Sequence, residues 1–127
     1  MRFHLITALV LITLSCQEKG NHPLFDEVMA IHDEVMPKVS DMSKLSRELK
    51  KEKQNLQDSS MIARYDQRIR ELNEAEEAMF DWMRDFDAKR KTDEAYLKKE
   101  KKNIKEVSEL MLSSISNAQK LLENNDE

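Results

Sequence analysis

From residue 25 onward the apolar side chains return at every third or fourth position, and that spacing constrains the fold more than any other feature of the chain. A helix turning every 3.6 residues gathers such positions on one face, whereas a strand needs a period of two. The first stretch carries Phe25, Val28, His32, Val35, Val39, Met42, Leu45, Leu49 and Leu56, with Met29 and Met36 widening the stripe. A second carries Ile62, Tyr65, Ile69, Leu72, Ala75, Met79, Trp82, Met83 and Phe86, and a third Leu97, Ile104, Val107, Met111, Ile115, Ala118 and Leu122. Gly20 is the only glycine, Pro23 and Pro37 the only prolines, and 36% of the chain is charged. That composition favours long helices over sheets.

The breaks between stripes carry helix-ending chemistry. Asp58-Ser59-Ser60 offers capping oxygens to a following helix. Lys89-Arg90-Lys91 suits the negative end of a helix dipole, and Thr92 is expected to cap the last helix, with Asp93 and Glu94 in its first turn. Pro23 fits a first helical turn; Pro37 removes the hydrogen bond to the Asp33 carbonyl and should kink the first helix. Three helices of about 30 residues, each a rod of about 45 Å, predict an all-α, antiparallel up-down-up three-helix bundle over residues 23–127. Stripes this long could also be buried by coiled-coil pairing with another chain. The weak point is Lys98 to Lys105, where five lysines leave little apolar surface between Leu97 and Ile104. Such a run could touch anionic headgroups, but it is more simply a solvated face. The tail Asn124 to Glu127 is polar and expected to fray.

Ahead of the stripes, Arg2 is followed by an apolar run from Leu5 to Leu14, about ten residues and too short to span a bilayer core as a helix. Ser15 and the only cysteine, Cys16, come next. A small residue and a cysteine directly after such a run resemble the lipobox of bacterial lipoproteins, although Thr13 stands where leucine is usual. The resemblance implies a signal peptide over 1–15, removed before Cys16, and a Cys16 acylated on sulfur and amine, with palmitate-type chains as a membrane anchor. The competing reading is an ordinary cleaved signal with an incidental cysteine. Residues 16–22 would then form a polar tether holding Gly20. Gln17, where aspartate is absent, resembles lipoproteins sorted to the outer membrane. A lipidated Cys16 leaves no thiol for a disulfide, so packing alone must hold the fold.

The net charge of −4 and the lack of a concentrated basic field argue against a nucleic-acid partner. Catalytic motifs are scarce: there is no G-x-S-x-G elbow, H-E-x-x-H pair or glycine-rich phosphate loop, so no catalytic residue and no enzyme activity are expected. The chemically unusual cluster is Met29, His32, Met36 and Pro37 with Met79, Trp82 and Met83. A turn near Ser59 would set His32 against Phe86 and Met36 against Trp82. His32, Met36, Met79 and Met83 would then form a soft donor set suited to copper as Cu(I). Plain core packing competes with this, since methionine fills helical cores and a core histidine commonly bonds a carboxylate, here Glu76 or Glu100. A buried histidine would also make the bundle acid-sensitive.

The segments His32 to Lys38 and Ala78 to Met83 are similar to those of small Bacteroidota-type lipoproteins, some named viral A-type inclusion protein. That resemblance implies a cell-envelope setting and no catalytic residues. The expected function is therefore a lipid-anchored envelope bundle, facing the periplasm or the cell surface. It would bind a protein partner through a helical face or serve a structural role. A metal-binding lipoprotein and a chaperone-like bundle are the alternatives. A continuous apolar stripe left uncovered would favour the partner-binding role.

Overall fold

The computed structural model describes residues 20–124, which contain four α-helices and no strands. The signal segment, Cys16, Gln17 and residues 125–127 lie outside the described residues. Helix α1 (Pro23–Val35) and α2 (Lys38–Lys53) are two halves of one rod bent at Met36-Pro37. Helix α3 (Ser59–Asp85) returns, and α4 (Glu94–Glu123) runs back again after a 3₁₀ turn over Ala88–Arg90. The architecture is the antiparallel three-helix bundle that the periodicity predicts, with the first helix bent at Pro37.

Local chemistry sets each boundary. Pro23 opens α1, and His22, in extended backbone, caps it by accepting a hydrogen bond from the Leu24 amide at Nδ1, 3.2 Å. At the bend the Met36 amide still bonds the His32 carbonyl, 2.8 Å, but Pro37 has no amide hydrogen to continue the ladder. The Asp58 carboxylate accepts from the Ser60 and Met61 amides at 2.7 and 3.2 Å and so starts α3. For α4 the cap is Asp93 rather than Thr92. Its carboxylate accepts from the Tyr96 amide at 3.0 Å, because the 3₁₀ turn carries the chain one residue further before the helix begins. Leu56 falls after α2 has ended at Lys53; it lies in the connection and packs against the core from there.

The bend decides the packing. Beyond it, α2 lies against α3 and, less extensively, α4; before it, α1 lies along α4 and reaches α3 mainly through side chains. Val28, Met42, Leu49, Tyr65, Leu72, Met79, Ile104 and Met111 are fully buried or nearly so in one continuous core. The gap in the α4 stripe is filled by a polar residue: Glu100 is only 8% exposed and accepts a 3.0 Å hydrogen bond from the Trp82 indole Nε1. Leu97, Glu100, Ile104, Val107 and Met111 therefore make one inward seam, while neighbouring lysines turn outward. Lys98 and Lys102 pair with Glu94 and Glu106 on their own helix, and Lys101 reaches across to Glu27 of α1. Among the described residues no helix is long and apolar enough to cross a membrane.

Candidate functional site: an apolar groove between α1 and α3

Where α1 swings onto α4, it leaves a groove of about 180 Å³ against α3, lined by Met29, His32, Trp82, Met83 and Phe86. It lies at the bundle end where α1 begins, α3 finishes and α4 starts. The His22 amide donates to the Lys91 carbonyl at 3.2 Å, fastening the start of α1 to the α3–α4 connection. The described chain, which begins at Gly20, thus enters at the groove's own end of the bundle.

Aromatic rings build the floor. Trp82 stacks on Phe86 with centroids 4.8 Å apart, Phe86 continues onto Tyr96 at 6.0 Å, and Phe25 closes on Phe86 at 6.1 Å. The His32 ring lies 5.8 Å from Trp82, tilted by 33°. Contacts of this kind hold rings in fixed relative positions and add to their burial. The outer end is locked as well: the Tyr96 hydroxyl accepts from the Asp87 amide at 2.7 Å, and the Arg90 guanidinium sits 4.0 Å over the Tyr96 ring while bonding Asp93. That Arg90 contact and the Tyr96 amide hold the Asp93 carboxyl below its ordinary value, the amide bond being the larger cause.

The sequence-predicted ligand set divides in this arrangement. His32 and Met83 line the groove, Met83 being 40% exposed. Met79 is fully buried in the core, and Met36 packs at the bend outside the groove lining. The facing register also differs from expectation: His32 meets Trp82 rather than Phe86. The α2–α3 connection is centred near residue 56, three residues before Ser59, so facing positions move by about one helical turn. Nor is His32 a core residue bonded to Glu76 or Glu100. It sits at the groove edge with Nδ1 2.9 Å from the carboxylate of Asp33 on its own helix, while Glu100 serves Trp82 and Glu76 accepts from Ser43.

Met29 and Phe86 complete the groove. Met29 was legible in principle, since it stands one turn before His32 on the same face. The sequence offers Glu100 as a core carboxylate, but for His32 rather than Trp82, and Asp33, which stays exposed, carries no signal that it would bond His32. Among the described residues, no group of three His, Cys, Asp or Glu side chains comes together as a metal site. The groove offers a different donor type: two thioethers, one imidazole and an indole face. The uncovered apolar residues do not form a continuous stripe. Phe80 and Met83 stand one turn apart on α3, Met83 alone lining the groove, whereas Leu110 and Leu112 are exposed near the middle of α4. Comparison of the chain with protein-family models, with curated proteins and with solved structures finds no match.

Proposed function

We propose that this chain is a lipid-anchored cell-envelope protein of the small Bacteroidota lipoprotein type that works by binding rather than by catalysis, with the α1–α3 groove as its binding surface. One observation carries the binding role: α1 and α3 leave between them an apolar, aromatic-floored groove whose lining includes the exposed Met83. The exposed apolar residues form no continuous stripe, so the reading rests on the groove itself, whose apolar lining favours an occupant that covers it. Its position suits the anchor, since a chain entering at His22 would hold the groove close to the membrane surface.

The anchor reading rests on the lipobox-like Ser15-Cys16 and the apolar run before it. It is tested by expressing the full chain in a bacterium with lipoprotein-processing enzymes and following incorporation of labelled palmitate. The parent chain should take up label and sediment with the outer membrane. Cys16→Ser should take up none and should not be processed to the mature size. Equal processing and sedimentation of both forms would overturn the anchor.

A further inference from the structure

We infer that the α1–α3 groove is a site for a soft monovalent metal ion, Cu(I) in the cell, held by the Met29 and Met83 thioethers and the His32 imidazole against the Trp82 indole face. This rests on reading the groove as a binding surface, and it is independent of the lipid anchor.

The donor set selects the ion. Thioethers are soft and neutral, and with imidazole they suit Cu(I); Mg²⁺, Ca²⁺ and Mn²⁺ want carboxylate, carbonyl and water. Met29 and His32 are three residues apart on α1, so they share a face, and Met83 meets them from α3. The imidazole is prepared for the task. Its Nδ1 lies 2.9 Å from the Asp33 carboxylate, an acceptor, so this contact favours the neutral tautomer with the proton on Nδ1, in which Nε2 keeps its lone pair and has no hydrogen-bond partner among the described residues. A carboxylate on the second ring nitrogen is the usual companion of a metal-bound histidine, because it orients the ring and raises its basicity.

Charge balance points the same way. Three neutral donors leave the ion's single positive charge uncompensated within the ligand set. Asp33 supplies a negative charge one bond network away, and an indole face offers its negative quadrupole to a cation within about 6 Å. Phe86 stacked behind Trp82 holds that indole in place, as does the bond from Nε1 to Glu100. Met36 and Met79, equally soft, are held away from the groove by the bend and by burial. The site so defined needs residues from both sides of the opening that Pro37 creates.

Trp82 is the only tryptophan, so its fluorescence reports on this site alone. The experiment titrates the full chain carrying Cys16→Ser, which removes the competing thiol, with Ag(I) as a redox-inert stand-in, and then with Cu(I) under anaerobic reductant. One equivalent should quench Trp82. Met29→Leu with Met83→Leu, or His32→Ala, should weaken binding by about 100-fold or more, and Asp33→Ala by on the order of 10-fold, the range for loss of a group that orients a ligand. Met36→Leu should bind like the parent, and circular dichroism melts should show each variant folded. Unchanged Trp82 emission, equal affinity in the double leucine variant, or Zn(II) binding as tight as Ag(I) would overturn the assignment. None of these results would alter the membrane fractionation that tests the anchor.

Discussion

The two ends of this bundle are built from the same helical period and reach different results. At the far end α2, α3 and α4 close on Leu45, Leu49, Tyr65, Leu72 and Leu121, all buried, and the Asp58 cap starts α3. At the near end α1 lies along α4, α3 stands off, and the space between them is an open groove floored by stacked rings. The difference originates in one residue. Pro37 cannot donate to the helix ladder, so the first rod bends there and its two halves choose different neighbours. A stripe that would have been core in a straight rod becomes, over Met29 and His32, the wall of a groove.

The largest effect should come from breaking the closed end. Leu72→Ala removes a side chain only 1% exposed and should cost about 3 kcal/mol in chemical denaturation, whereas Met83→Ala at the groove should cost less than about 1 kcal/mol. Comparable losses at both positions would erase the contrast. Next in size is the polar contact beneath the groove. Trp82→Phe leaves the buried Glu100 carboxylate with only the 3.3 Å bond from Asn103, and should cost about 2 kcal/mol. Replacing Glu100 as well, by Leu, should recover part of that loss, as exchanging both members of a buried polar pair generally does.

Acid should act on the boundaries of both ends. Hydrogen bonds from Ser60 and the following amides lower the Asp58 carboxyl below its ordinary 3.8, and those from Tyr96 and Arg90 do the same for Asp93. In this range the unfolded chain binds more protons than the native one, so unfolding free energy rises with pH through it. The contribution is complete above the ordinary carboxylate range and is lost as pH falls through the lowered values. Asp58→Asn with Asp93→Asn should therefore flatten the acid side of a melting-temperature profile. The smallest effect is expected at Ser46, buried on α2 with no hydrogen-bond partner for its hydroxyl among the described residues. Ser46→Ala should stabilise by about 1 kcal/mol or less, and a destabilisation would show that the hydroxyl is used.

Much of the fold is legible in the sequence, because apolar spacing, capping residues and the two prolines all point to the same bundle. The groove was legible only as an ingredient list. Periodicity placed Met29, His32, Trp82 and Met83 on inward faces, but it does not say which way a bent rod leans, so Met36 and Met79 entered the expected donor set and Met29 did not. The lysine-rich stretch is the solvated face that its composition implied, and what it concealed was one buried carboxylate. Glu100 sits at a seam position that the spacing from Leu97 to Ile104 leaves vacant, yet its burial depends on Trp82 arriving from another helix. One-dimensional patterns carry the faces of helices well; they carry poorly the contacts that depend on the direction of a bend or the centre of a turn.

The central claim is that the bend leaves methionines of the near end open while equivalent methionines remain in the core. Oxidation of the folded chain by dilute peroxide, followed residue by residue by mass spectrometry, tests it directly. Met83 and Met29 should be oxidised first, with Met42, Met79 and Met111 protected until the bundle opens globally. Oxidation of Met79 at the rate of Met83 would contradict the account, since it would mean that the α1–α3 groove and the core beneath it are not distinct.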